Sequence, residues 1–370
     1  MKQIQGKAHN IESDILGKVT FNKKLFNAKN YVLFAPNAHQ GNSRYAAVLS
    51  EHINLLGNYP IIGNVNSTEF QEGDVILINR QGLISFYYEK RALHGNALFV
   101  TERCNHRCIM CPQPPIVSEV DKTPLNLKLI QLIGKGLKEI GITGGEPTLL
   151  GDKLFMLIKQ IEKSAPNASI TLLSNGVRFA DKEYAKKLAL CKHKDIQIDI
   201  PIFSDIASEH NSIVGAKTFY KTVLGLYNLT LFHIKIGLRI VVHKKTYKRL
   251  PQLAEFIYRN FPFVQQVAFL QMETIGIPEA KMPELWIDPY DYNKQLQEAI
   301  TILNNRGMRT LIYNAQLCTL PPQLRPFAVK SISDWKDTYI AECNGCSLKE
   351  ACGGVFATNK SYLSKYISKQ

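Results

Sequence analysis

From residue 96 to about 272 the chain alternates short apolar runs with amphipathic stretches, and this restricts its fold more than any other feature of its 370 residues. NALFVTE (96–102), KEIGITG (138–144), SITLLSN (169–175), DIQIDIPIF (195–203), HIKIGLRIVV (233–242) and VQQVAFLQM (264–272) read as strands. Between them lie helical patterns near 125–139, at DKLFMLIKQIEKS (152–164) and DKEYAKKLALC (181–191), near 217–231, and at YKRLPQLAEFIYRNF (247–261). Six strand–helix units in succession imply a parallel sheet with helices outside, an α/β fold of the partial (β/α)6 barrel type. Residues 1–95 differ. EGDVILINRQGLISFYYE (72–89) reads as two strands around an NRQG turn, which predicts a small, mostly β N-terminal domain. The expected domains are 1–95, with a possible role in docking a peptide or partner, then the barrel at 96–285 and an extension at 286–370.

Two strands carry more than their existence. In DIQIDI the side chains of Ile196, Ile198 and Ile200 share one face, and Gln197 and Asp199 the other. In IGLRIVV, Gly237, Arg239 and Val241 oppose the aliphatic set. The apolar faces suit the helix layer, so the polar ones point inward, where a filled barrel would hold branched apolar residues. Either a polar ligand occupies that interior or Asp199 and Arg239 pair with each other, because a buried charge needs a partner.

A hydrophobic share of 45% and a charged share of 21% are those of an ordinary globular protein. No apolar run approaches the ~18 residues of a membrane span, and the start, MKQIQGKAHNIESD, has no apolar stretch after its lysines. The expectation is a cytoplasmic protein with no membrane association. The net charge of +14 invites a nucleic-acid reading, but the basic residues are spread along the chain. KKLALCKHK (186–194) and HKKTYKR (243–249) fall beside predicted helices and read as solvated faces, so nucleic acid is not the expected partner.

Seven of the eight cysteines form two groups, and Cys191 stands alone in a helical pattern as a small buried hydrophobe. In a reducing compartment clustered thiols bind metal more often than they form disulfides. Cys104, Cys108 and Cys111 are spaced Cys-x3-Cys-x2-Cys between a strand and a helix. Thiolates are the ligands of iron–sulfur clusters, and three of them leave one iron of a four-iron cluster open for chemistry. Zinc is the alternative, with His106 or a distant residue as fourth ligand. One strand–helix unit later comes ITGGEPTLL (142–150). Its paired glycines let the backbone approach a ligand, its carbonyls suit an ammonium group, and Glu146 adds negative charge. Taken alone, GGEP reads equally as a tight strand-to-helix turn.

CNHRCIMC followed one unit later by GGEP resembles the radical S-adenosylmethionine superfamily. The resemblance implies that Cys104, Cys108 and Cys111 hold a four-iron cluster whose free iron is completed by the amine and carboxylate of S-adenosylmethionine. It implies that Gly144, Gly145, Glu146 and Pro147 receive the methionyl amine, and that Ser174, Asn175 and Gly176 lie where the family contacts ribose and carboxylate. Arg239 is a carboxylate partner by charge complementarity. The residue before the third cysteine is usually aromatic in the family; here it is Met110, which can still pack on an adenine ring.

Cys318, Cys343, Cys346 and Cys352 supply four further thiolates, a complete set for an iron–sulfur cluster or for zinc. Beside such a core they resemble the auxiliary-cluster extensions of peptide-modifying members. EHNSIVGAKTFYKTVLGLYNL (209–229) and RIVVHKKTYKRLPQLAEFI (239–257) resemble units of the same enzymes. CIMCPQPP (108–115), GGEPTLLGD (144–152) and RPFAVKSISDWK (325–336) resemble the HxsC maturases of the His-Xaa-Ser repeat system. That resemblance implies a precursor peptide, a companion radical S-adenosylmethionine maturase and a flavodoxin- or ferredoxin-type electron donor. Two other readings stay open: an RNA-modifying enzyme, and a non-catalytic cluster-bearing partner of a second maturase.

Overall fold

A computed structural model describes residues 2–36, 43–52, 58–92, 95–330, 338–358 and 362–370. The N-terminal strands are β1 (Gln3–Gln5), β2 (Lys7–His9), β3 (Ile15–Thr20), β4 (Tyr31–Phe34), β5 (Ala47–Leu49), β6 (Ile61–Gly63), β7 (Val75–Ile78) and β8 (Leu83–Tyr88). The expected hairpin is present as β7 and β8, with Asn79 Oδ1 accepting the Gln81 and Leu83 N–H groups in the turn. The sheet order is β1-β8-β7-β3-β4-β5-β6-β2. Its first and last members are consecutive halves of one extended run broken at Gly6. That run pairs with β8 through Gln3–Gln5 and with β6 through Lys7–His9, so it joins the two edges of the sheet. Val19, Val32, Leu49, Ile62, Ile76 and Ile84 fill its interior almost wholly shielded from solvent. Each such side chain contributes on the order of 2 kcal/mol of hydrophobic stabilisation.

The second sheet follows chain order: β9 (Ala97–Phe99), β10 (Glu139–Thr143), β11 (Ser169–Leu173), β12 (Ile196–Pro201), β13 (Lys235–Val242), β14 (Gln266–Gln271), β15 (Thr310–Tyr313) and β16 (Ala328–Val329). Every pairing from β11 to β16 is parallel. The helices are α1 (Thr123–Ile133), α2 (Asp152–Ser164), α3 (Lys182–Ala189), α4 (Ala207–Val214), α5 (Phe219–Leu231), α6 (Leu250–Asn260), α7 (Ile277–Leu285) and α8 (Asn293–Asn304). A parallel sheet wound in one direction with a helical crossover in most of its units is the open-barrel architecture, preceded by a β domain and followed by an extension. The six expected strands are all present. β15 and β16 continue the sheet into the extension, and α4 is a helix that the pattern did not predict.

The chain divides into two compact units, Met1–Val100 with Asp121–Gly141 and Met156–Ser169, and the remainder. In the first, Lys18 Nζ donates to the Ile133 carbonyl (3.3 Å), so the β domain meets the end of α1. In the second lie the cysteines and the ends of the strands that carry the site.

Candidate active site

The cysteine loop is fixed by backbone on three sides. Gly145 N–H donates to Thr101 O (2.8 Å) and Glu146 N–H to Arg103 O (2.7 Å), which lays GGEP along the entry to the loop. Arg107 and Ile109 donate to the carbonyls of Val214 and Ile213 at the end of α4, and Cys111 O accepts from Ile277 at the start of α7. This packing is why two glycines stand at 144 and 145. A Cβ on Gly144 would lie 2.4 Å from Thr101 O, and one on Gly145 would lie 2.2 Å from Arg103 O. The close approach that the two glycines permit within the chain is to the cysteine loop.

Glu146 is buried, and its carboxylate joins two motifs that stand 28 residues apart in sequence. Oε1 accepts from Thr148 N (3.0 Å), Thr148 Oγ1 (2.6 Å) and Ser174 Oγ (2.8 Å), and Oε2 from Asn175 N (2.7 Å). Glu146 thus caps the short turn Pro147–Leu150, with Pro147 in the first position, where a missing N–H costs nothing. The four donors favour the charged carboxylate. Burial acts the other way and is the larger influence, so its pKa stands above the ordinary carboxylate range. Asn175 Nδ2 then reaches Asn105 Oδ1 (2.6 Å), between the first two cysteines. Loop, GGEP and Ser174–Asn175 are one hydrogen-bonded body. Asn105 was not singled out from sequence; its only signal was a polar residue directly after Cys104.

Burial pushes Cys104 up to about 11 and Cys108 up to about 12; the nearby Cys111 adds to both, and Cys104 adds to Cys108. Cys111 is also raised, first by burial. Cys108 packs against an apolar cluster of Met110, Phe203, Ile213, Val214, Met272 and Met282. Met110 is itself 5% exposed within that cluster, which places it in the core behind the loop rather than on an open surface. His106 is buried with Nε2 against Thr218 Oγ1 (2.9 Å), and burial lowers its pKa to about 4. Among the described residues no group of three or more His, Cys, Asp or Glu side chains is arranged to hold a single metal ion. The donor set of the loop, three half-buried thiols on one short loop against an apolar cluster, suits an iron–sulfur cluster.

On the neighbouring strands the polar row is present. Gln197 Nε2 donates to Asp199 Oδ1 (2.7 Å), and Arg239 Nη1 lies 3.6 Å from Asp199 Oδ2. Gly237, beside Asp199 in register, makes room for the carboxylate: a Cβ there would lie 2.2 Å from Asp199 Oδ1. Asp199 is buried, whereas a third of the Arg239 side chain stays exposed. Arg239 does not join the hydrogen bonds that unite the other motifs.

Of the four C-terminal cysteines, Cys343 and Cys352 lie within electrostatic reach of Cys318, whose pKa is raised first by burial and then by these neighbours. Cys352 Sγ accepts N–H groups from Leu317 and Gly354, both at 3.4 Å. Cys346 is the exception: backbone N–H groups of Gln370 and Leu348 hold its pKa below the usual thiol value. Of RPFAVKSISDWK, the part from residue 331 to 336 lies outside the described residues. Among the described residues no helix is long and apolar enough to cross a membrane.

Residues 98–257 match the model of the Radical SAM superfamily, so a radical SAM domain occupies that part of the chain. GTP 3′,8-cyclase from Nautilia profundicola is 30% identical over 150 residues, 39% of this chain and 45% of that protein. The same enzyme from Sulfurimonas denitrificans is 31% identical over 157 residues, 41% of this chain and 46% of that protein. The chain thus spans less than half the length of these curated relatives. Among solved structures, Streptococcus suis SuiB bound to S-adenosylmethionine is similar in fold, with a TM-score of 0.50 and 16% identity over 66% of this chain and 54% of that one.

Proposed function

We propose that the protein is a radical S-adenosylmethionine enzyme that cleaves S-adenosylmethionine reductively and modifies a ribosomally made peptide of the His-Xaa-Ser repeat type. The observation that carries the first half is the hydrogen-bonded body around the three-cysteine loop, in which Glu146 and Asn175 join the two downstream motifs to the loop. In this reading Cys104, Cys108 and Cys111 hold a four-iron cluster and Cys318, Cys343, Cys346 and Cys352 an auxiliary one. When bound, cluster and S-adenosylmethionine supply a 5′-deoxyadenosyl radical that removes a hydrogen atom from the substrate.

The chain's own residues bind and orient. Gly144 to Pro147 set the backbone that receives the methionyl amine, and Ser174 and Asn175 line the ribose side. Arg239, anchored by Asp199 and still partly exposed, takes the carboxylate. The apolar cluster behind Cys108 excludes water from the inner side of the site. The peptide half rests on the resemblance of 108–115 and 144–152 to the His-Xaa-Ser maturases and on the four-thiol extension. It brings with it a companion maturase and a flavodoxin- or ferredoxin-type donor. The N-terminal β domain is assigned to docking of peptide or partner. Its two sheet edges are joined by residues 3–9, so a side-chain surface rather than strand addition would serve.

The cyclase relatives favour a second reading, a nucleotide substrate. Anaerobic assays of 5′-deoxyadenosine decide between them. A peptide of His-Ala-Ser repeats is expected to stimulate its formation, and stimulation by GTP alone would select the second reading. Cys108→Ala is expected to abolish 5′-deoxyadenosine formation, and Cys343→Ala to spare much of it while stopping peptide modification.

A further inference from the structure

We propose that the outer surface where the cysteine loop meets α5 is the docking site of an acidic one-electron donor protein; this rests on the reading that the loop holds a redox cluster. Arg103 and Arg107 immediately precede Cys104 and Cys108, and Lys217 and Lys221 stand four residues apart around the start of α5. All four are exposed, and none makes an ion pair among the described residues. Loop and helix are in direct contact. Thr218 Oγ1 meets His106 Nε2 (2.9 Å), and a Cβ on Gly215 would lie 3.2 Å from Arg107 Cβ. The carboxylates of the adjoining helices are already engaged: Glu183 with Lys186, Glu209 with Ser204 and Arg249, and Glu255 with Arg259. On the loop itself Glu102 is half-buried. The exposed charge here is therefore of one sign.

From the loop, α5 carries an apolar stripe outward. Tyr220, Leu224, Tyr227 and Leu231 recur at intervals of four, three and four residues, so they share one helix face, and they are 42–76% exposed. Tyr227 is held in place by the Phe261 and Phe263 rings and by donation from its hydroxyl to Asn260 O (2.9 Å). An apolar strip bordered by charge has the make-up of a protein interface. Charge then says what covers it. A second copy of this chain, at +14, would set like charge against like. A nucleic acid would use the cations but leave Leu224 and Leu231 without a role, because such interfaces are polar. A protein with carboxylates around an apolar centre satisfies both halves. The cations flank the thiols, so a donor seated on them delivers its electron at the loop without crossing the barrel. The donor's anionic flavin hydroquinone loses one electron and leaves as the neutral semiquinone; the electron goes to the loop cluster, and no proton or bond changes hands.

The test follows cluster reduction by reduced flavodoxin on the full chain carrying Cys343→Ala, reconstituted with iron and sulfide so that the loop site is read. Lys217→Glu with Lys221→Glu is expected to slow that reduction at least tenfold at low salt and to flatten its dependence on ionic strength. Tyr220→Ala is expected to slow it with the salt dependence kept. Photoreduced deazariboflavin, a small donor that needs no docking, should reduce the parent and both variants alike. A flavodoxin rate unchanged in both variants overturns the docking site and leaves the cluster reading standing. Equal slowing with both donors places the effect in the loop rather than in docking and overturns it too. Binding of polyuridylate that the double reversal abolishes, with the flavodoxin rate unchanged, gives the patch to nucleic acid and also overturns the proposal. A parent protein whose loop site neither donor reduces overturns the cluster reading itself.

Discussion

Gly145 has no room for a side chain, because the backbone of Arg103 occupies the place where a Cβ would stand. Gly145→Ala is expected to cost about 2–3 kcal/mol in urea denaturation, since overpacking must shift backbone rather than a flexible tip. The same variant should lose loop iron, because the shift falls on residues adjoining Cys104. A second expectation concerns the thiols before metal loading. Cys346, with its pKa held down by backbone N–H groups, has the larger thiolate fraction at neutral pH; Cys108, pushed up to about 12, has almost none. Timed alkylation with peptide mapping should therefore label Cys346 first and Cys108 last. At this scale the sequence revealed which residues matter better than what they do. Cysteines in a dense spacing announce themselves, because few other uses of three thiols exist. That Glu146 braces Ser174 and Asn175 was not legible, since its partners lie 28 and 29 residues away and the contact exists only once two strands are neighbours.

Among the elements, α4 ties the cysteine loop down through the carbonyls of Ile213 and Val214, and it carries the buried His210. His210 Nδ1 accepts from Phe203 N (3.3 Å), and burial lowers its pKa from 6.5 to about 4. In the unfolded chain this imidazole takes up a proton below about pH 6.5, whereas the folded form resists it until about pH 4. Its contribution is thus present above 6.5 and is lost as pH falls through that window, at most on the order of 3 kcal/mol. His243, lowered by burial to about 3, acts in the same direction. The apo-protein should lose stability between pH 6.5 and 4 in denaturant titrations, and His210→Gln should flatten that dependence. Of the elements, α4 escaped the sequence reading because ASEHNSIV is short, polar in composition and without a capping side chain. By contrast, β12 and β13 were plain from their alternation. The polar face they predicted gathers Gln197, Asp199 and Arg239, and the ion pair weighed against a ligand there is present.

For the whole molecule, strand–helix alternation was legible because a parallel sheet covered by helices demands long, regular crossovers. The closure of the N-terminal sheet was not, because several of its strands have three residues and pair with partners far along the chain. The first compact unit includes 121–141 and 156–169 as well as the N-terminal residues. Deleting residues 1–95 is therefore expected to lower the thermal midpoint of what remains rather than release an unchanged barrel, as calorimetry of the two proteins would show. The proposed chemistry depends on an iron cluster bound by three loop thiolates and completed by a small molecule. Electron paramagnetic resonance of the anaerobically reduced Cys343→Ala protein, with and without S-adenosylmethionine, tests this most directly. A four-iron signal that changes when S-adenosylmethionine is added is the expected result. A signal indifferent to it, or loop cysteines found holding zinc, would contradict the proposed function.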